Sequence, residues 1–212
     1  METRTYQVYK YDELPDDAKQ KAIEKHYDIN TEHDWWDCEY EDFKEIGKCL
    51  GIDIKDIWFS GFASQGDGLC FTGAFEYRKG WRKALDAYAP KRWKDHRKIG
   101  EWVENKRNAE LHAIGERLQD LQRPVFYGVS GDISHSGHYQ HSGCTLFNIR
   151  HTWDYEVEVN FDYEDFKQVY RELMDTFYYV LEHQHDYLTS DEQIAETLRA
   201  DDYDFTINGN IA

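Results

Sequence analysis

Residues 58–73 read WFSGFASQGDGLCFTG, and this stretch decides how the chain around it folds. Two aromatic-rich runs flank a polar turn at residues 64–68. Large and small residues alternate on both sides of the turn, which is the period-2 pattern of paired β-strands. A Gly-Asp-Gly sequence gives the backbone the freedom to reverse its direction within a few residues. The stretch therefore predicts a β-hairpin at the centre of the fold.

The segments around this hairpin come in blocks of helical and of strand patterns. Apolar residues recur every three or four positions across residues 36–50 and 164–188, as in amphipathic helices. Strand patterns appear instead at residues 124–130, 145–149 and 155–161. Such blocks are typical of an α+β fold. We expect an antiparallel or mixed sheet built from hairpins, with several amphipathic helices packed on it.

The two ends of the chain extend this pattern, and we expect a single α+β domain over residues 1–212. Residues 3–11 alternate like a strand, and an acidic, proline-containing turn then opens a helix. The sequence Thr-Ser-Asp-Glu at 189–192 has the spacing of a capping box and predicts another helix, to about residue 200. Residues 203–209 are predicted to form a final short strand.

Residues 78–122 form a basic segment that is predicted to be helical and could be an insertion. From 78 to 107 eleven Lys and Arg oppose four Asp and Glu, a net charge of +7 (11 − 4), so the rest of the chain carries −24. A short helix over 81–88 and a long helix over 91–121 are predicted. Arg92 and Arg97 would lie at the positive end of the long helix dipole, where anions are attracted. Alternatively, these charges form a solvated face paired with the acidic body.

Composition limits the partners of the chain. A net charge of −17 disfavours nucleic acid polymers and membrane surfaces. No run of about 18 apolar residues is present, and the first residues lack the order of a signal peptide, so we expect a cytoplasmic protein. The cysteines form no CxxC pair and are predicted to be buried reduced thiols, with a zinc site or a disulfide as alternatives. They are Cys38, Cys49, Cys70 and Cys144.

A glycine- and histidine-rich loop at residues 131–143 is the first candidate site. It carries His135, His138, Tyr139 and His141. Three histidines at intervals of three could bind a divalent metal if the backbone bends, although no HExxH motif or carboxylate-rich motif accompanies them. A polar rim that hydrogen-bonds a ligand and a merely solvated hairpin are the other interpretations.

The turn of the central hairpin is the second candidate site, through Ser64, Gln65 and Asp67. Successive N–H groups in a glycine-rich turn can form an anion-binding nest. The turn is neither a Walker loop nor a dinucleotide-binding fingerprint, because the Lys-Ser/Thr pair and the strand-to-helix context are missing. A tight turn that needs glycine for positive φ is the simpler interpretation. Since no nucleophile motif is found either, we assign no catalytic residue, no metal ligand and no cofactor.

Several motifs of the chain resemble a family of small bacteriophage and prophage proteins that are often labelled as an antitoxin of a toxin–antitoxin stability system. The motifs are LPDDAK at 14–19, Trp36 with EDFKEIG at 41–47, SQGDG at 64–68 and GHYQHS at 137–142. The resemblance implies an accessory role for a phage or mobile element inside a bacterial host, exerted by binding host molecules. Phage proteins of this size include counter-defence factors, some of which sequester nucleotide signals.

Three hypotheses follow from these observations. The leading one is a non-enzymatic protein that binds and sequesters a small anionic, nucleotide-like signal through the two loops and the two arginines. The second is an antitoxin-like or inhibitory module whose acidic surface occupies a basic site on a host protein. The third is a metal-dependent hydrolase that uses His135, His138 and His141.

Overall fold

The computed structural model describes residues 7–94, 102–152 and 161–212, and it has the predicted α+β fold. The chain divides into two compact units. The terminal unit comprises Met1–Asp37 and Leu181–Ala212, and the central unit comprises Cys38–Val180.

A four-stranded antiparallel sheet organises the central unit. Its strands are β1 (Ile52–Ser60), β2 (Gly68–Glu76), β5 (Val129–His135) and β6 (Thr145–His151), in the order β1-β2-β5-β6. The predicted central hairpin is confirmed, because β1 pairs with β2 from Ile52↔Phe75 to Ser60↔Gly68. Since β2 also pairs antiparallel with β5, the turn before β2 and the loop after β5 leave the sheet at the same end.

Two long helices cover the apolar face of this sheet, α2 (Asp37–Leu50) and α5 (Tyr163–Leu188). The Phe43 ring of α2 stacks on the Phe177 ring of α5, with centroids 4.2 Å apart and planes 8° apart. Phe75 of β2 meets the Tyr170 ring of α5 at 5.0 Å. Aromatic rings thus join the two helices to each other and to the sheet.

The basic segment is only partly helical. It contains α3 (Trp81–Tyr88), a hairpin of β3 (Arg92–Lys94) and β4 (Trp102–Glu104), and α4 (Lys106–Gln122). The prediction of one long helix from residue 91 is therefore wrong. The helix begins only after Asn105, whose side chain accepts a hydrogen bond from the Asn108 amide at 3.2 Å and so caps the first turn. Pairing of residues 92–94 with residues 102–104 takes the place of the first turns of the predicted helix.

The terminal unit contains α1 (Asp16–Lys25), α6 (Asp191–Ala200) and the last turns of α5. Its core includes Ala22 of α1, Leu198 of α6 and Phe205, all fully buried. The predicted helix forms, but its N-cap is Ser190, whose hydroxyl accepts from the Gln193 amide, and not Thr189 of the predicted capping box. The prediction of a final strand over 203–209 is wrong, because Phe205 forms only isolated bridges, to Tyr9 and to Ile211.

Some predictions fall partly or wholly outside the described residues. These are the start of the strand over 3–11 and nearly all of the strand over 155–161. Of the first strand, the described part contributes a single bridge at Tyr9, and Tyr11 opens a short 3-10 helix. No helix among residues 7–94, 102–152 and 161–212 is long and apolar enough to span a bilayer.

Candidate functional site

The two loops predicted as separate candidate sites lie against each other. A methyl group built on Gly66 would lie 3.3 Å from the Tyr139 ring, and one built on Gly68 would lie 2.5 Å from His141 Cβ. The second distance is too short for any side chain, so Gly68 permits the close approach of the second loop. We call residues 61–67 and 136–144 together the two-loop surface.

Asp67 holds the first loop in shape. Its Oδ2 atom accepts hydrogen bonds from the Ala63 amide at 3.0 Å and from the Ser64 amide at 2.6 Å. The predicted anion nest is thus filled by a carboxylate of the loop itself. Gly66, with φ of +96°, provides the left-handed turn that brings Asp67 back. Asp67 therefore positions the loop, while the side chains of Ser64 and Gln65 are exposed to solvent.

An aromatic cluster anchors the first loop to the body of the central unit. The Phe62 ring stacks on Phe59 and meets Tyr178 of α5, with both centroid distances 5.5 Å. The Tyr178 hydroxyl donates to the Gly61 carbonyl at 2.9 Å. These contacts were missed at the level of sequence, because Tyr178 lies more than a hundred residues from the loop that it fixes.

The histidines of the second loop have different partners. His135 Nε2 donates to the Tyr139 carbonyl at 3.0 Å, and the His135 ring lies 5.7 Å from the Trp58 ring. His141 Nδ1 accepts from the Gly143 amide at 3.1 Å, and its Nε2 lies 3.5 Å from Cys144 Sγ. His138 is exposed and contacts the edge of Tyr139. His135 and His141 therefore shape the loop, and His138 faces solvent.

The histidines predicted as metal ligands do not form a metal site in the described structure. Within the described parts of the chain, no three His, Cys, Asp or Glu side chains lie close enough together to hold a metal ion. The pair formed by Cys144 and His141 is not arranged for nucleophilic catalysis either. Because His141 Nδ1 accepts a backbone N–H, its ring proton lies on Nε2, which donates to the sulfur instead of accepting the thiol proton.

The cysteines only partly match their prediction. All four are free, and Cys49 and Cys70 are buried, but Cys38 is exposed and Cys144 is half-buried. Cys70 lies in β2 and is fully buried. Burial, with a smaller contribution from Cys144, raises the pKa of the Cys70 thiol to about 11.

Tyr139 is the most prominent exposed group of the two-loop surface. Its side chain is 58% exposed and lies over Gly66. The His141 ring is nearly parallel to it, at 25° and 6.3 Å, and the His138 ring is edge-on at 5.7 Å. An exposed aromatic ring of this kind can stack on a planar ligand, and the hydroxyl of Ser64 and the amide of Gln65 can hydrogen-bond it.

Of the two arginines predicted for the site, Arg92 alone lies in a described part of the chain. Arg97 lies outside the described residues. Arg92 is exposed on β3, opposite Glu104, and no hydrogen bond or ion pair of its side chain is found in the described part of the chain.

The position of the β3–β4 hairpin nevertheless follows from its neighbours. The Tyr88 hydroxyl at the end of α3 donates to Asp42 Oδ1 at 2.5 Å, which raises the pKa of Tyr88 to about 12. Tyr40, half a turn earlier in α2, contacts Phe59 of β1. Burial raises the pKa of Glu39, and the charge of Arg107 at the start of α4 opposes that shift. The end of α3 and the start of α4, which flank the hairpin, therefore lie near the first turns of α2. This is the end of the central unit that carries the two-loop surface.

Comparison with known proteins identifies a family without a described function. No curated protein and no solved structure matches the chain. A family model described as a domain of unknown function, DUF8835, matches residues 35–191. This match covers most of the chain, including the whole two-loop surface. The chain therefore belongs to the DUF8835 family.

Proposed function

We propose that this protein is a non-enzymatic binding protein that captures a small anionic, nucleotide-like ligand on the two-loop surface. The observation that supports this proposal most is the contact between the two loops. Gly66 lies against Tyr139 and Gly68 against His141, so residues far apart in sequence form one polar and aromatic surface. In keeping with the resemblance to phage proteins, we place this function in the cytoplasm of a bacterial host, as sequestration of a signal.

Each part of the surface has a role in this proposal. The base of the ligand stacks on Tyr139, an interaction that contributes about 1–3 kcal/mol per base in single-stranded nucleic acid complexes. Ser64, Gln65 and His138 hydrogen-bond its polar edge, since their side chains are exposed. The phosphate groups point towards the basic β3–β4 hairpin, where Arg92 is exposed. Asp67, His135 and His141 keep the loops in place.

Titration calorimetry against a panel of cyclic and ADP-ribose-type nucleotides tests this proposal. We expect at least one nucleotide to bind more tightly than about 100 μM, which corresponds to about −5.5 kcal/mol. Tyr139→Ala should weaken that binding by roughly tenfold or more, because it removes the stacking ring. Tyr187→Ala is the matched control, since Tyr187 is 57% exposed and lies outside the surface. A panel without any ligand below that threshold would reject the proposal.

A second function is favoured by the distribution of acidic residues. The terminal unit carries 18 Asp and Glu and 6 Lys and Arg, a net charge of −12 (6 − 18) within a chain of −17. Such a unit fits an antitoxin-like or inhibitory module that associates with a basic site on a host protein. Capture of one stoichiometric basic protein from host lysate supports this function, provided that no nucleotide of the panel binds.

A further inference from the structure

A groove of about 790 Å³ lies at the other end of the central hairpin, away from the two-loop surface. It is lined by the start of β1, the end of β2 with the residues after it, and parts of β5 and β6. Strand β1 has nine residues, so at about 3.3 Å per residue the groove and the turn of the hairpin are separated by about 26 Å. The volume is in the range of about 300–1,000 Å³ that small-molecule sites occupy.

Four cationic side chains converge on this groove. Lys48, Arg78, Lys79 and Arg150 line it, together with the acidic residues Asp53 and Glu76, which gives a net charge of +2 (4 − 2). The whole chain has a net charge of −17, so the groove has the opposite sign of charge to the chain as a whole. We call these six residues and the space between them the basic groove.

The pairing of the strands explains how the cations come together. Glu76 lies opposite Ser130, and Ser130 lies opposite Arg150, so the three form one row across the sheet. The Glu76 amide donates to the Gly51 carbonyl at 2.9 Å, which extends the row to the end of α2. Lys48 and Arg78 therefore lie on one side of Glu76, and Arg150 lies on the other.

The cations are held in place by contacts that an anion can share or replace. Arg78 donates to the Lys48 carbonyl in the last turn of α2, so its guanidinium group is already oriented. Lys48 pairs with Glu45 at 2.6 Å, and Arg150 pairs with Asp132, where it lowers the pKa of that carboxyl group. Both pairs are exposed, and exposed pairs contribute little to stability. No ion pair of Lys79 is found within residues 7–94, 102–152 and 161–212.

We propose that the basic groove binds a polyvalent oxyanion of the diphosphate or triphosphate class. A chain of phosphate groups can engage cations on both sides of Glu76 at once, whereas a single small anion reaches only one side. Four strands spaced by about 4.8 Å place β1 and β6 about 14 Å apart, so an extended ligand is required to span them. This inference is independent of nucleotide capture on the two-loop surface.

Titration of the full chain with inorganic tripolyphosphate, followed by calorimetry, tests the inference. We expect saturable binding of the wild type with a dissociation constant below about 1 mM, equivalent to about −4.1 kcal/mol. Lys79→Gln combined with Arg150→Gln should weaken binding by roughly tenfold, because both charges leave the groove. Glu76→Gln should strengthen it about threefold, since a repelling carboxylate is removed. Lys83→Gln, an exposed lysine of α3 outside the groove, is the control.

Two outcomes would overturn the inference. One is the absence of saturable binding by the wild type below that concentration. The other is equal binding by the double variant and by Lys83→Gln, which would show that any attraction is general. Unchanged denaturation midpoints should confirm that the exposed substitutions leave the fold intact. Nucleotides that bind the two-loop surface should keep their affinity in the double variant, so failure of one proposal is distinguishable from failure of the other.

Discussion

Gly68 is the residue at which the two loops approach each other most closely. Gly68→Ala would place a methyl group 2.5 Å from His141 Cβ, so the second loop must shift. We expect a loss of about 1–3 kcal/mol in the free energy of unfolding, which is typical of an overpacked site. Urea denaturation measures this loss.

The control for this substitution is Gly80→Ala. Gly80 has φ of +84° but has no atom within 4 Å of a built methyl group, so only backbone strain of about 1 kcal/mol is expected there. A Gly68→Ala protein as stable as the wild type would show that the loops do not touch as described.

The Cys70 thiol makes the free energy of unfolding depend on pH in the alkaline range. Its pKa is about 11 in the folded chain, against an ordinary value of 9.0. Between these values the unfolded chain loses the thiol proton first, so stability falls as pH rises. From pH 9 to pH 10 the thiol should contribute a loss of about 1 kcal/mol.

Denaturation of the wild type and of Cys70→Ala at both pH values isolates this contribution from that of other groups. Over the same pH interval, the free energy of unfolding of the variant should fall by about 1 kcal/mol less than that of the wild type. Equal losses in the two proteins would contradict a buried, protonated thiol.

The residues of the candidate site were predictable, but their roles were not. Glycine, histidine and polar turn residues mark both loops in the sequence. Asp67 fills the nest of its own turn because its carboxylate accepts from two backbone amides of that turn. The spacing of the sequence does not specify which acceptor those amides find. The roles of His135 and His141 likewise depend on backbone partners within the folded loop.

At the scale of elements, α5 packs into the core of the central unit with Phe177. This side chain is 1% exposed and stacks on Phe43. Phe177→Ala should reduce the free energy of unfolding by about 3–5 kcal/mol, because it leaves a cavity between α5, α2 and β2. Tyr179→Ala, on the exposed side of the same helix, should change it by less than about 0.5 kcal/mol. Similar effects of the two substitutions in chemical denaturation would contradict the described face of α5.

The boundaries of the elements show where sequence patterns are informative. The helical period of α2 and α5 and the alternation of β1 and β2 are long and regular, and the structure follows them. Before α4, apolar residues at helical spacing suggested a helix from residue 91, but pairing of β3 with β4 prevails there. Asn105, a favourable N-cap residue followed by good helix formers, is the signal that marks the true start.

At the scale of the whole molecule, charge is divided unevenly between the two units. The terminal unit carries −12, which leaves −5 for the central unit (−17 + 12). If an acidic surface binds a basic host protein, raising the salt concentration from about 0.05 to 0.5 M should weaken the complex at least tenfold, mainly by slowing association. Surface plasmon resonance at several salt concentrations measures both rates. A complex insensitive to salt would rule out an electrostatic surface.

The central claim is that two loops distant in sequence form one ligand-binding surface. Two-dimensional NMR of the isotope-labelled protein, titrated with the tightest-binding nucleotide of the panel, tests it most directly. We predict that the amide signals of residues 61–67 and of residues 136–144 shift together, with the same saturation curve. Shifts confined to one loop, or centred on the basic groove instead, would contradict the claim.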